Sequence, residues 1–324
     1  MEDNKDYRLV ESDDACIVSE PQSSWGGAWT EEKLDALEKY VRAYLTVMKK
    51  YAKENGWKLF YFDAFAGSGS REIESVEEKN IDNTLFREKE LEKITEQASY
   101  KGAAERIMGL EVDGFSFDYF YFIDKDKKSL HKLQEKLKSL FPHKASCMAF
   151  RPGDANERIL ELVSYARNNP KCAALVLLDP FGMQLNWETI SALKEIKHID
   201  LWILVPSGVI INRLLTRSGK ILCPERMEMS FGLSVEELQK YFYEQITELG
   251  LFGEMTRQKK RDDTINRIAQ LYIELLSKEF QFVIKEPLVL RNSTSCPIFH
   301  FIFASHNRNG VKIASQIVGK KNRK

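Results

Sequence analysis

Four aspartates stand where short apolar runs of the sequence end. They are Asp63, Asp124, Asp154 and Asp179. If each run is a strand of one parallel sheet, the four carboxylates share the crevice at which open α/β sheets bind ligands. Aspartates also end strands simply as turn and cap residues, so any one of them would indicate little. Their repetition at four strand ends favours a binding site for a ligand rich in hydrogen-bond donors.

The first aspartate opens a glycine-rich turn. The run Leu59–Phe62 is followed by Asp-Ala-Phe-Ala-Gly-Ser-Gly. Glycine tolerates positive φ and has no Cβ to obstruct a ligand, which is why such turns lie beneath nucleotides. We therefore predict that this turn surrounds one end of the ligand, with Asp63, Phe65, Ala66, Gly67, Ser68 and Gly69 as the contacting residues.

The next two strand ends supply different acceptors. Asp124, followed by Lys125, suits a bidentate hydrogen bond to a ribose diol, which is the role of acidic residues in dinucleotide folds. Asp154 lies between Gly153 and Ala155, and it suits an exocyclic amino group such as that of adenine. Together the two positions predict a nucleoside bound across the sheet edge.

The fourth strand end, Asp179-Pro180-Phe181-Gly182, carries the catalytic hypothesis. The Asp179 carboxylate and the Pro180 carbonyl could hold the hydrogens of an amino group, since proline fixes the turn. Phe181 could stack on a splayed-out base. Such a site works by positioning rather than by strong acid–base chemistry. The alternative is a plain Asp-Pro turn.

Other chemistries fit the sequence less well. A nicotinamide fingerprint needs a third glycine where the chain has Glu72, and no Gly-Lys-Ser/Thr of a P-loop occurs. An enzyme that transfers a methyl group to a carbon atom of cytosine would need a nucleophilic cysteine near Asp179, and none is present. The five histidines show no metal-ligand spacing, so no metal site is predicted.

The elements that position these residues alternate regularly. Apolar runs predict five strands, with helices between them, at 59–63, 119–124, 147–150, 172–178 and 199–205. This pattern predicts a doubly wound, Rossmann-like and mostly parallel sheet. A final pair, 282–290 and 298–304, is expected to be antiparallel at the sheet edge, which gives seven strands.

The domain organisation follows from the same pattern. We expect a flexible arm over 1–24, the Rossmann-like core over 25–208, a helical insertion over 209–280 and core-completing strands over 281–324. Residues 71–100 lack a strand signal and are expected to be inserted over the glycine turn. Within the helical insertion, a capping box at Ser234 opens a helix expected to reach Leu249.

Composition limits the function classes. The 324 residues are 43% apolar and 30% charged with no net charge, so any nucleic acid or membrane must meet a local patch. The five scattered cysteines argue against a disulfide framework, and the absence of a span-length apolar run favours a cytoplasmic protein. The basic run could contact phosphates or form a solvated loop; its cations are Arg257, Lys259, Lys260 and Arg261.

The seven-strand layout resembles class I S-adenosylmethionine (SAM)-dependent methyltransferases. The glycine turn together with Asp179–Gly182 resembles amino-group methyltransferases of nucleic acids, among them tRNA guanine-N2 methyltransferases. A match over most of the chain resembles the bacterial three-Cys-motif partner proteins; it includes Trp29, Lys33, Leu37, Tyr40, Ala43-Tyr44, the strand 200–206 and the strand 300–304. This resemblance implies SAM as cofactor and a radical-SAM-like protein with three cysteines as partner.

Three hypotheses remain open from the sequence. The first is a SAM-dependent methyltransferase acting on an amino group, of a nucleobase in DNA or RNA. The second is a catalytically silent SAM-binding partner or scaffold of the same fold. The third is a nucleotide-binding module or nuclease on a similar sheet.

Overall fold

The computed structural model describes residues 28–69, 101–250 and 253–322. The expected arm at 1–24 and the expected insertion at 71–100 lie outside these ranges. The α-helices of six or more residues are α1 (Ala28–Asn55), α2 (Ala103–Met108), α3 (Lys127–Leu140), α4 (Ala155–Asn168), α5 (Trp187–Ala192), α6 (Pro224–Phe231), α7 (Val235–Phe242), α8 (Thr264–Glu279) and α9 (Arg308–Asn322). The strands are β1 (Lys58–Asp63), β2 (Tyr119–Asp124), β3 (Met148–Pro152), β4 (Cys172–Leu178), β5 (His198–Val205), β6 (Tyr243–Gly250), β7 (Gly253–Lys260), β8 (Phe282–Val283), β9 (Leu288–Arg291) and β10 (Pro297–Ser305).

The main sheet has the order β3-β2-β1-β4-β5-β10 with β8 and β9 at its edge. The first five strands are parallel and β10 is antiparallel to β5. The predicted Rossmann-like α/β fold is therefore confirmed. The single edge strand predicted over 282–290 is instead divided into β8 and β9, which pair with different parts of β10. Pro287 lies in the interruption, where it has no N–H to donate to a ladder.

The core forms on both faces of the central strands. Every residue of β4 is buried, as expected for a parallel strand covered by helices on both sides. Helix α1 buries a stripe of apolar residues that recur at helical spacing: Leu34, Leu37, Val41, Tyr44, Leu45 and Met48. Within the same stripe, Tyr40 donates to Asp200 of β5 (2.7 Å), and Ser305 of β10 donates to the other carboxylate oxygen (2.6 Å). Helix α1 is thus fixed to both β5 and β10.

The region 209–280 contains more than the predicted helices. The capping box at Ser234 is present, but α7 ends at Phe242 and a hairpin of β6 and β7 follows, so the helix expected to reach Leu249 is wrong. Tyr243 turns inward at this boundary and donates from its hydroxyl to the carbonyl of Thr216 (2.9 Å). The strand-forming residues of 243–247 and the paired Gly250 and Gly253 at the turn explain the change from helix to hairpin.

A buried histidine joins this region to the sheet. The Nδ1 of His300 in β10 lies 2.6 Å from the hydroxyl of Ser207, which follows β5, and its Nε2 lies 3.3 Å from Oδ1 of Asn266 in α8. Asn266 Oδ1 can only accept, so Nε2 carries the proton and Ser207 donates to Nδ1. Burial lowers the pKa of His300 to about 4, and the charge of Arg291 contributes.

We expect this histidine to make stability depend on pH. In the unfolded chain His300 has a pKa of 6.5, whereas in the folded chain its pKa is about 4. The contribution of His300 to stability is therefore full above pH 6.5 and falls by about 3 kcal/mol as the pH drops to 4. Denaturant unfolding from pH 7 to 4.5 should show a smaller loss in His300→Gln than in the wild type, whereas the exposed-site variant His131→Gln should keep the wild-type slope. Equal slopes for the wild type and His300→Gln would contradict this prediction.

Two further findings concern the described residues alone. Cys223 is disulfide-bonded, whereas the sequence pattern favoured free thiols; Cys147, Cys172 and Cys296 are free. None of the described helices combines the length and the apolar character needed to cross a membrane.

Candidate functional site

The strand register brings the four strand-end aspartates to the same edge of the sheet. Asp63 and Asp124 are the last residues of the neighbouring strands β1 and β2. Asp179 directly follows β4, which pairs with β1 on its other side. Asp154 follows β3, the neighbour of β2. Adjacent strands lie about 4.8 Å apart, so the four residues span one continuous edge.

The glycine turn after β1 is held by the end of β2. Gly67 donates its N–H to Oδ2 of Asp124 (2.9 Å), and Ala66 donates to the carbonyl of Ile123 (2.8 Å). The other oxygen of Asp124 accepts the N–H of Asp126 (2.7 Å). Asp124 therefore fixes the turn with its carboxylate, which retains lone pairs for further donors.

The two glycines of the turn differ in what surrounds them. Both have left-handed φ, 59° at Gly67 and 66° at Gly69. Among the described residues, a Cβ on Gly67 would meet no atom within 4 Å, whereas one on Gly69 would lie 2.4 Å from Cδ1 of Leu133. A Cβ on Gly102, at the start of α2, would lie 3.5 Å from the Cα of Gly69. Within the part of the chain that the structure describes, Gly67 thus borders open space, and Gly69 is packed against α3.

Asp63 lies beneath the turn and does not face an open crevice. It is 2% exposed, and its carboxylate accepts the N–H of Phe65 (3.2 Å) and the hydroxyl of Tyr61 (3.3 Å). Burial raises the pKa of Asp63 to about 7, with the Asp179 carboxylate adding to the shift and Lys33 opposing it. Asp63 thus supports the turn from below, and its predicted contact with the ligand stays a prediction.

Asp179 forms a partly buried ion pair with a lysine that was not among the predicted site residues. Lys33 of α1 donates from Nζ to Oδ2 of Asp179 (2.5 Å), and the lysine side chain is only 5% exposed. The same ammonium lies 5.7 Å from the ring centroid of Trp29, which stacks on Phe299 of β10. The sequence signal was a lysine within the apolar stripe of α1, one helical turn from Trp29 and from Leu37.

The second carboxylate oxygen of Asp179 differs from the first in its hydrogen bonding. Oδ1 is buried, and no donor reaches it within the part of the chain that the structure describes. A buried acceptor without a partner is costly, and such groups in folded proteins call for an explanation. An N–H or O–H arriving from a ligand would satisfy it.

The loop that follows Asp179 exposes one aromatic ring. Pro180 and Gly182 are buried, whereas Phe181 is 42% exposed and its N–H donates to Oε1 of Gln184 (3.1 Å). Phe181 is therefore partly accessible two residues after Asp179.

Asp154 caps helix α4. Its Oδ1 accepts both the backbone N–H of Asn156 (2.8 Å) and the side-chain Nδ2 of the same residue (2.9 Å). Gly153 has a φ of 145° and donates to the carbonyl of Asp124 (3.1 Å), which joins this corner to β2. The remaining predicted contact residues border the turn and this cap: Phe65, Ala66 and Ser68 are half-buried, Lys125 is exposed and Ala155 is buried.

The cations predicted to contact phosphates belong to the hairpin and have partners inside the protein. Lys260 donates to the carbonyls of Asn212 and Leu215 (2.7 Å each), and burial lowers its pKa to about 8. Lys259 and Arg261 lie 3.8 and 3.5 Å from Glu244, and Arg257 is on the same strand. The described residues contain no group of three or more His, Cys, Asp or Glu side chains that could hold a metal ion.

Comparisons with known proteins give only weak similarities. No family model and no curated protein matches the chain. A Legionella pneumophila protein of family DUF519, LPL1258, is 15% identical over 88% of this chain and 99% of its own, with a TM-score of 0.40. The DszA carbon methyltransferase is 13% identical over 86% of this chain and 55% of its own (TM-score 0.36). A putative methyltransferase from Escherichia coli, yhhF, is 14% identical over 68% of this chain and 84% of its own (TM-score 0.26). At these scores the fold assignment depends on the strand order itself.

Proposed function

We propose that this protein is a SAM-dependent methyltransferase acting on an exocyclic amino group of a nucleobase. The observation that carries the proposal is the buried Oδ1 of Asp179, which has no hydrogen-bond partner among the described residues and lies two residues before the partly exposed Phe181. A carboxylate oxygen in need of a donor and a stacking surface next to it suit a planar base that carries an NH₂ group.

The residues at the sheet edge fit the cofactor. The open space beside Gly67 has room for a ligand that would otherwise meet a Cβ. Asp124 would accept the two ribose hydroxyls on its remaining lone pairs, and Asp154 would accept the adenine amino group on Oδ2, which forms no hydrogen bond among the described residues. Asp63 would support the methionine end through the turn it holds.

The chemistry assigned to the protein is positioning. The bound cofactor would supply an electrophilic methyl group. Asp179 Oδ1 and the Pro180 carbonyl would accept the two amino hydrogens, which directs the nitrogen lone pair away from the loop, and Phe181 would hold the base plane. Lys33 keeps the other Asp179 oxygen in place, so the acceptor does not rotate as the base enters. The radical-SAM-like partner is proposed on the sequence resemblance alone.

One observation favours the second hypothesis, a catalytically silent partner protein. The ion pair with Lys33 uses one oxygen of the proposed catalytic carboxylate, Oδ2 of Asp179, to hold α1 to the sheet. A carboxylate used only in this way would serve the fold, with SAM as a structural ligand.

A transfer assay separates the two functions. The purified protein is incubated with SAM carrying a labelled methyl group and with tRNA, rRNA or DNA, with and without the three-cysteine partner. Label in an exocyclic amino group of a base supports the enzyme. SAM binding without transfer to any of these substrates, with the partner present, supports the silent partner.

We expect substitution of Gly67 to act mainly on cofactor binding and substitution of Gly69 to act mainly on stability. Gly67→Ala should cost about 1–2 kcal/mol for the left-handed φ alone, and its Cβ should enter the space beside the turn and abolish binding of S-adenosylhomocysteine (SAH). Gly69→Ala should destabilise the fold more, because its Cβ overlaps Leu133. Denaturant unfolding and calorimetric titration measure both effects, and Gly319→Ala in α9, where a Cβ has open space, is the control. Tight SAH binding by Gly67→Ala would contradict the assignment of this turn.

A further inference from the structure

The loop after Asp179 is held by side chains from two other elements. Three consecutive carbonyls of this loop each accept a hydrogen bond from a side chain outside it. Arg226 of α6 donates to the carbonyls of Met183 and Leu185, and Asn156 of α4 donates from Nδ2 to the carbonyl of Gln184 (2.9 Å). Loop carbonyls usually face water, so three successive side-chain contacts fix the course of 180–186.

Asn156 also contacts the loop through its carboxamide oxygen. Its Oδ1 accepts the N–H of Asn186 (2.9 Å), while its Nδ2 donates both to Gln184 and to Oδ1 of Asp154 (2.9 Å). One carboxamide therefore bridges the carboxylate at the end of β3 and the loop at the end of β4. Both of its N–H groups and its oxygen are engaged, so a rotation of this side chain would break all three contacts.

Arg226 also holds this loop. Besides the two carbonyls, it donates to Oδ1 of Asn186 (2.9 Å). Burial lowers the pKa of Arg226, and the nearby Asp154 carboxylate opposes that shift. The charge of Asp154 thus acts on both residues that hold the loop.

We propose that Asn156 is a positioning residue that couples ligand binding at Asp154 to the order of loop 180–186, with Arg226 as the second holder of that loop. The inference rests on the proposed function, in which Asp154 accepts the adenine amino group and the loop presents Phe181 to the base. An amino group bound at Asp154 fixes this carboxylate, the carboxylate fixes the Asn156 amide, and the amide fixes Gln184 and Asn186. Cofactor binding would in this way prepare the surface on which the substrate base stacks.

The test is amide hydrogen exchange of the full-length protein with and without SAH, together with calorimetric titration. In the wild type, SAH should slow exchange across 180–186 several-fold. In Asn156→Ala, exchange at Asn186 should rise about tenfold without ligand, since its acceptor is lost, and it should no longer respond to SAH. SAH affinity should change less than about threefold, because Asp154 still caps α4 through the backbone N–H of residue 156.

Arg226→Gln is the matched control. It should loosen the same loop, but SAH should still slow the exchange, because the Asn156 bridge is intact. A wild-type response to SAH in Asn156→Ala, or loss of the response in both variants alike, would overturn the coupling. Binding of SAH to the wild type without any change in the loop would also overturn it and leave the proposed function standing. Failure of SAH to bind the wild type at all would instead contradict the proposed function.

Discussion

Asp179→Asn is expected to lower the rate of methyl transfer by about 10²-fold or more, with SAH affinity unchanged. An asparagine side chain has one acceptor oxygen, whereas the carboxylate has two. In the wild type, Lys33 donates to Oδ2 of Asp179, so in the variant the single amide oxygen should turn toward Lys33. The variant therefore presents an NH₂ donor where the substrate amino group needs an acceptor. The measurement is single-turnover transfer of labelled methyl to the nucleic acid that the transfer assay identifies.

The same argument predicts a rescue. In Lys33→Met/Asp179→Asn no ammonium competes for the amide oxygen, which can turn toward the substrate, so part of the transfer rate should return. Asp113→Asn, at an exposed aspartate paired with Lys49, should behave as the wild type. Full activity of Asp179→Asn would show that this side chain does not hold the amine. Equal inactivity of the single and double variants would remove Lys33 from the explanation.

The second large effect concerns stability. Asp179→Ala removes the anionic partner of an ammonium whose side chain is 5% exposed. Breaking a buried ion pair from one side typically destabilises by about 3–5 kcal/mol. We expect the lower end of that range, because Asp63 remains near Lys33. Lys33→Met should cost less, since the Asp179 side chain is 20% exposed and its charge can still reach water.

A double-mutant cycle tests this account of the ion pair. Lys33→Met/Asp179→Ala should be more stable than Asp179→Ala alone, because the uncompensated ammonium is gone and methionine packs well against the Trp29 ring. Denaturant unfolding at neutral pH gives the four free energies. Lys39→Met, at an exposed lysine paired with Asp35 four residues away, should change stability by less than about 0.5 kcal/mol. Additive losses in the double variant would contradict a buried, coupled pair.

The fold was predictable because its signals are local. Short apolar runs, four of them followed by aspartate, define the five parallel strands, and the regular helices between them define the connections. The hairpin β6–β7 was missed because Leu238 and Phe242 continue a helical spacing up to the residue where Tyr243 turns inward. A spacing pattern alone does not show that change in direction.

The site was less predictable because its key contacts are distant in the sequence. Lys33 and Asp179 are 146 residues apart, and Arg226 reaches the loop from about 40 residues further along the chain. The position of Lys33 in the apolar stripe of α1 marks it as unusual, but local sequence does not show which residue pairs with Lys33 or with Arg226. The burial of Asp63 was also hidden, because a strand-end aspartate has the same sequence pattern whether it faces a crevice or supports a turn.

The central claim is that the edge formed by the glycine turn, Asp124 and Asp154 binds a SAM-type nucleoside. Calorimetric titration of the full-length protein with SAH tests it most directly. The account predicts one site per chain with an affinity on the order of micromolar, lost in Gly67→Ala and kept in Gly319→Ala. Absence of binding to the folded wild-type protein, or equal binding by Gly67→Ala, would contradict it.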